Sequence, residues 1–155
     1  MPRVLIATEG STVSQEAVRR FTALLNPGPV EICILSVIVP AGLSDDHPSA
    51  AAHYQRESAH AQEAIDLAIA DLGHAGFRSF GVSRVGEPAA VIVEVAKELE
   101  VDLIVLGTHA RQGLERLFKG SVAEQVLHHA PCGVYIYPRV AEAGCASELE
   151  PASVG

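Results

Sequence analysis

The residues with the clearest chemical potential lie in one segment, residues 107–121, which reads GTHARQGLERLFKGS. It holds three glycines, and its three positive side chains (Arg111, Arg116 and Lys119) outnumber its single carboxylate in a chain of net charge −8. Glycines let backbone N–H groups approach a phosphate, and a helix that begins at Ser121 would add its unpaired N–H groups and positive dipole end. The segment therefore predicts an anion site, most simply for a nucleotide.

A purely structural explanation of the same segment stays open, because glycine-rich connections also occur wherever a chain must turn from a strand into a helix. The three positive side chains would then be a solvated loop face. His109 either donates to a phosphate or is a solvent-exposed loop histidine. Neither the phosphate-loop pattern GxxxxGK[ST] nor the dinucleotide pattern GxGxxG is present.

Alternating apolar runs and helical patterns supply the elements that would position this segment. We expect strands near residues 3–8, 30–38, 77–84, 102–107 and 133–137. Between them, apolar residues recur at helical spacing, and a capping box begins at Ser121. The order β-α-β-α-β-α-β-α-β predicts an α/β fold with one doubly wound parallel sheet and helices on both faces. Its third strand, which contains two arginines, is expected at an edge.

In such sheets, ligands bind beyond the carboxyl ends of the strands, where the strand order reverses. The first predicted strand ends at Thr8 and Glu9, and the fourth ends at Gly107. These two ends would face each other across a crevice if the two strands are neighbours. The crevice would then open onto the glycine-rich segment.

Length and composition limit the remaining possibilities. The 155 residues suit one domain, which we place at residues 1–140, with residues 141–155 as a disordered tail. An acidic chain without a basic block is a poor nucleic-acid binder, and no apolar run approaches a membrane span. The N-terminus has no signal-peptide core, and three cysteines without a CxxC pair form neither a disulfide framework nor a zinc site. We therefore expect a soluble, cytoplasmic protein.

No catalytic or metal-binding group emerges from the spacing of the remaining polar residues. His53 and His60 are too far apart on a helix to share a metal, and His128 and His129 diverge around theirs. Cys132 is expected to be a small packing residue, although a nucleophilic role would need only a base beside it. We predict neither catalytic residues nor metal ligands.

Two stretches carry a family resemblance: VLIATEGS near the start, and GEPAAVIVEVAKELEVDLIVLGTHARQGLERLFKGSVAEQVLHHAPCGVYIYP near the end. With their spacing they resemble the universal stress protein family over residues 3–138. The resemblance implies a Rossmann-like, five-stranded parallel sheet of order 3-2-1-4-5, and usually a homodimer. Part of that family binds ATP through Gly-x-x-Gly-x9-Gly-Ser/Thr, and another part lacks the motif and does not bind it.

This chain departs from the ATP-binding pattern at two positions. Gly107, Gly120 and Ser121 match, but the middle glycine is Ala110, and the acidic residue after the first strand is Glu9 rather than the usual aspartate. If position 110 needs a left-handed backbone, alanine costs about 1–2 kcal/mol, or about 5–30-fold in affinity. Such a penalty weakens binding without abolishing it.

Carried over by position, the resemblance implies two groups of contacts with ATP, with Mg²⁺ accompanying the nucleotide. The nucleoside contacts would come from Ala7, Glu9, Val37, Leu106 and Gly107. The phosphate contacts would come from Ala110, Gly120, Ser121 and Val122, with His109 and Arg111 close to the phosphates.

Three functions from different classes remain. The first is an ATP-binding regulatory module in the stress response. The second is a dimeric interaction module that binds no nucleotide, and the third, with least support, is an enzyme such as a slow ATPase. We expect a homodimer through the apolar strand 133–137 and an unidentified regulatory protein partner, with neither nucleic acid nor membrane as partner.

Overall fold

A computed structural model describes residues 1–40, 49–109 and 122–139, which form five strands and four helices in strict alternation. In chain order they are β1 (Arg3–Ala7), α1 (Thr12–Ala23), β2 (Glu31–Ile38), α2 (Ser49–His74), β3 (Ser79–Val85), α3 (Pro88–Glu98), β4 (Leu103–His109), α4 (Val122–His129) and β5 (Gly133–Arg139).

The five strands form one parallel sheet of order β3-β2-β1-β4-β5, as expected. Val4 of β1 pairs with Ile32 of β2 on one side and with Leu103 of β4 on the other. The strand order therefore reverses between β1 and β4, where the crevice was predicted.

Side chains alternate between the two faces of the sheet, and each face is covered by two helices. Leu5 of β1 belongs to a buried cluster with residues of α3 and α4. Its neighbours Val4 and Ile6 belong to a second buried cluster with residues of α1 and α2. The near-continuous apolar strands are thus buried on both sides, as a doubly wound sheet requires.

The boundaries of the elements differ from the sequence expectation in two helices. α1 ends at Ala23. Leu25, which the apolar spacing of Val18 and Phe21 predicts on its buried face, lies beyond the helix and is 37% exposed. α2 is 26 residues long, whereas only its C-terminal half shows apolar periodicity in the sequence. The first half of α2 is helical although its side chains are mostly exposed, so no buried stripe marked it.

The two edge strands have different environments. β3 is largely exposed, which confirms the expected polar edge. β5 is half-buried: Val134 and Ile136 pack against one core cluster, and Tyr135 packs against the other. The rings of Tyr135 and Phe21 of α1 have centroids 5.8 Å apart. The helices thus partly cover the apolar side chains of β5, and its outer backbone edge pairs with no other strand in the described part of the chain.

The sequence also predicts a disordered C-terminal tail and no membrane span. The proposed tail, residues 141–155, lies outside the described residues. Within the described ranges, no helix combines the length and apolar character needed to cross a bilayer.

Candidate functional site

A cleft of about 400 Å³ lies at the carboxyl ends of β1, β2 and β4, next to the point where the strand order reverses. This volume is in the range of small-molecule sites. Its lining residues are Ala7, Thr8, Glu9, Ser14, Leu35, Val37, Val39, Glu57, Pro88, Ile92, Leu106, Gly107, Val122 and Ala123. Strands β1, β2 and β4 and all four helices thus contribute residues to one cleft, as the crevice rule predicts.

A network of short polar side chains fixes the turn from β1 into α1, which forms one wall of the cleft. The hydroxyl of Thr8 donates to Ser14 Oγ at 3.1 Å and accepts from the backbone N–H of Gly10 at 3.2 Å. Ser11 caps α1 by accepting from the N–H of Ser14, and its hydroxyl donates to Glu9 at 2.7 Å. The hydrogen bond from Ser11 thus holds the Glu9 carboxylate at the cleft.

Two glycines allow close approach of the backbone on this side of the cleft. Gly10 has φ +83°, a left-handed conformation that favours glycine, and a methyl group there would lie 3.1 Å from Cβ of Ala64 in α2. A methyl group on Gly107 would lie 2.9 Å from the carbonyl oxygen of Val13 in α1. Gly107 is therefore required by the packing of β4 against α1, whatever its role toward a ligand.

The remaining walls of the cleft are mostly apolar. β2 contributes Val37, β4 contributes Leu106, and α3 contributes Pro88 and Ile92. Pro88 stands in the first turn of α3, where its missing N–H costs nothing. An aromatic base would find van der Waals partners here without leaving polar groups unpaired.

The N-termini of α3 and α4 both lie at the cleft. In α3, the Glu87 carboxylate accepts from the N–H groups of Ala89 at 3.2 Å and Ala90 at 2.8 Å. The N-terminus of α4 reaches the cleft directly through Val122 and Ala123. A helix N-terminus at a cleft favours an anion. At α3 that anion is the Glu87 carboxylate of the chain itself.

The structure brings together six of the residues singled out from the sequence. Ala7, Glu9, Val37, Leu106, Gly107 and Val122 all line this cleft. Ala110, Arg111, Gly120 and Ser121 lie outside the described residues, as does the side chain of His109, so their predicted phosphate contacts remain predictions.

Sequence reasoning did not single out several lining residues. Ser14 and Ile92 had a detectable signal, because both lie on buried helix faces near predicted strand ends. Glu57 had none, because it lies in the part of α2 that has no apolar periodicity. It enters the cleft only because α2 extends beside it.

The histidines and cysteines of the described residues form no metal centre, since no group of three His, Cys, Asp or Glu side chains is arranged to hold a metal there. His53 and His60 both lie on α2, as expected. Burial raises the pKa of the Cys33 thiol to about 11, and burial also raises the pKa of Cys132. Both thiols therefore stay protonated at neutral pH, and a protonated thiol is a poor nucleophile.

A doubly wound parallel sheet with a ligand-sized cleft at its reversal point defines a class of α/β protein that binds small ligands beyond its strand ends. Within that class, the chain belongs to the universal stress protein family, whose family model matches residues 1–138.

Relatives in the same family are moderately similar in sequence. A universal stress protein of Methanocaldococcus jannaschii is 31% identical over 141 residues, covering 86% of this chain and 80% of that protein. Another, from Synechocystis, is 33% identical over 84 residues, and that match spans about half of each protein, 54%.

Solved structures share the fold. UspA from Lactobacillus plantarum superposes with a TM-score of 0.72 at 23% identity, over 88% of this chain and 97% of that one. An Arabidopsis thaliana family member, solved with AMP bound, gives a TM-score of 0.68 at 19% identity, over 92% and 95%. A universal stress protein from Archaeoglobus fulgidus, in complex with dAMP, gives 0.63 at 21% identity, over 88% and 96%. At these identities the likeness shows the fold alone.

Proposed function

We propose that this chain binds an adenine nucleotide in the cleft and acts as a nucleotide-dependent regulatory module. The observation that carries the proposal is the cleft itself, because it gathers six residues that the family resemblance implies for a nucleotide site. The nucleotide complexes of two structural neighbours, with AMP and dAMP, support it. ATP with Mg²⁺ is the specific ligand that we propose.

The described residues fit the parts of such a ligand. The base would lie among apolar side chains such as Val37, Ile92 and Leu106, and the Glu9 carboxylate is an acceptor for a nucleoside hydroxyl or amine. The phosphates would lie toward the N-terminus of α4, where the dipole favours negative charge. Mg²⁺ would be held mainly by phosphate oxygens and water, as is usual when phosphates are present.

Equilibrium dialysis of nucleotide-free protein against labelled ATP with Mg²⁺ tests the proposal. Ala110→Gly should tighten binding, by up to about 30-fold if backbone strain at position 110 opposes it. Gly120→Val should abolish binding by placing a branched side chain on the phosphate path. An ATP affinity that Gly120→Val leaves unchanged would place the site elsewhere. Gly107 is unsuitable for this purpose, because its substitution disturbs packing against Val13.

The second candidate is a dimeric interaction module that binds no nucleotide. The observation that favours it is Ala110, which replaces the middle glycine of the family's ATP motif. If neither the wild type nor Ala110→Gly binds ATP at millimolar concentration, this candidate replaces the first.

We propose that the chain forms a homodimer through β5, whichever function it has. We also propose a regulatory protein as a further partner and a cytoplasmic location. The support for the dimer is the position of β5 at the edge of the sheet. Two-fold antiparallel pairing of β5 with β5 of a second copy would cover the exposed β5 edge of each copy. Light scattering should give a mass about twice 16.3 kDa at micromolar concentration. A particle of the monomer mass would contradict the dimer.

A further inference from the structure

The first half of α2 extends beyond the sheet at the end where the cleft lies. A 26-residue helix is about 39 Å long, whereas the strands, of at most eight residues, span about 26 Å. The buried residues of α2 begin at Ala61. Since α2 leads from the carboxyl end of β2 to the start of β3, residues 49–60 project past the carboxyl edge. We call these residues the α2 overhang.

α2 contacts the edge of the cleft at two points, one within the α2 overhang and one just beyond it. His53 shares a hydrogen bond of 3.2 Å between its Nε2 and the carbonyl oxygen of Val39, the residue that follows β2. Further along α2, Ala64 packs against Gly10, which follows β1. Glu57 lies between these points, four residues after His53 and seven before Ala64, so all three share one face of the helix.

Glu57 is a half-buried carboxylate that lines the cleft. It makes neither a hydrogen bond nor an ion pair with any residue that the structure describes. The other described carboxylate in the lining is Glu9, and the described lining contains no positively charged side chain. The α2 face of the cleft is therefore acidic, while the opposite face ends in the N-terminus of α4.

We propose that Glu57 is a specificity-determining residue that accepts a hydrogen bond from the nucleoside part of the bound ligand. An ionised carboxylate can only accept, so its partner is a hydroxyl of the ribose or the exocyclic amine of the base. The same negative charge repels phosphates and orients them toward α4. This inference rests on the proposed nucleotide-binding function.

The first test is isothermal titration of AMP and ATP into the wild type, Glu57→Ala and Glu57→Gln. Loss of a hydrogen bond to a charged group should weaken AMP binding about tenfold in Glu57→Ala. ATP should lose less affinity than AMP in both variants, because removal of the carboxylate also removes a charge that repels phosphate. Glu63→Ala is the matched control: it removes an exposed carboxylate from the same helix, away from the cleft, and should change either affinity less than twofold.

The second test separates a direct hydrogen bond from a general structural effect, and it also distinguishes the donors. The ligands are AMP, 2′-deoxy-AMP, 3′-deoxy-AMP and the monophosphate of purine riboside, which lacks the amine. The wild type should discriminate against the analogue that lacks the donor, and Glu57→Ala should lose that discrimination while Glu63→Ala keeps it. If Glu57→Ala keeps the wild-type ratio of AMP affinity to the affinity of each of the three analogues, the inference is wrong although nucleotide binding stands. If the wild type binds none of these ligands, the proposed function itself fails.

Discussion

The two helical layers meet the cleft with different chemistry. The α1 and α2 layer contributes the hydroxyls of Thr8 and Ser14 through the β1 turn, and the carboxylate of Glu57. The α3 and α4 layer contributes apolar side chains and one helix N-terminus. The first layer thus offers hydrogen-bond acceptors, and the second offers a surface for an aromatic ring and a positive dipole end.

This division shows why the presence of a helix N-terminus does not by itself define an anion site. α1 and α3 also begin near the carboxyl edge, and their first N–H groups are hydrogen-bonded to side chains of the same chain, Ser11 in α1 and Glu87 in α3. The direction in which a nucleotide lies across the cleft would follow from the contrast between an acidic wall and the N-terminus of α4. Substitutions in either layer should change how the cleft receives a nucleotide and how firmly the layers pack.

The largest expected effect comes from removing the aromatic contact between the first layer and β5. Phe21 is 3% exposed and packs against Tyr135. Phe21→Ala should lower the free energy of unfolding by about 3–5 kcal/mol, measured by urea denaturation, because it leaves a cavity under α1. Leu67→Ala, on an exposed part of α2, should change it by less than about 0.5 kcal/mol. Similar losses in both variants would contradict the assignment of Phe21 to the core.

The second prediction concerns how closely α1 approaches β4. Gly107→Ala should cost about 1–3 kcal/mol, because its new methyl group would lie 2.9 Å from the carbonyl oxygen of Val13, and backbone cannot move aside cheaply. Gly133→Ala is the matched control in the neighbouring strand, where the methyl group would lie 3.5 Å from Leu103, an ordinary contact. Thermal unfolding of both variants distinguishes the two positions. Equal stability would show that α1 does not sit this close to β4.

Both contacts depend on features that the sequence revealed unequally. The strands and the buried helix faces could be predicted, because β-branched runs and residues such as Val18 and Ile92 repeat at the required spacing. The sheet order was available only through the family resemblance, since strand periodicity says nothing about which strands are neighbours. The α2 overhang could not be predicted, because its residues are mostly exposed and carry no apolar pattern.

The candidate site shows the same limit at the level of single residues. Glu9 and Gly107 could be predicted because they lie at the carboxyl ends of two apolar strands. Glu57 could not, because its place in the cleft depends on the direction of α2 and on the contact between His53 and Val39. Conversely, the family resemblance implies a ligand contact for Gly107, whereas its close approach to Val13 gives it a packing role that only the structure reveals.

A third substitution tests the N-terminus of α4, the positive dipole end that the α3 and α4 layer presents to the cleft. Val122 begins α4, lines the cleft and is 37% exposed, so a polar side chain fits there. Val122→Glu should weaken ATP binding about tenfold or more through repulsion of the phosphates, although a carboxylate in the first turn is favourable for the helix. Val122→Gln has nearly the same shape without the charge and should weaken binding much less. Titration calorimetry at low and high salt measures the difference, which salt should reduce.

The smallest expected effect concerns α3, whose N-terminus is already occupied by Glu87. Glu87→Ala should lower the free energy of unfolding by about 1 kcal/mol, because the N–H groups of Ala89 and Ala90 lose their acceptor. Glu94→Ala removes an exposed carboxylate from the middle of the same helix and should cost less than about 0.5 kcal/mol. ATP affinity should stay within about twofold in both variants, because the phosphates are expected at α4 rather than α3. A clear gain of ATP affinity in Glu87→Ala would instead show that the vacated N-terminus of α3 takes the phosphates, and the proposed orientation across the cleft would be wrong.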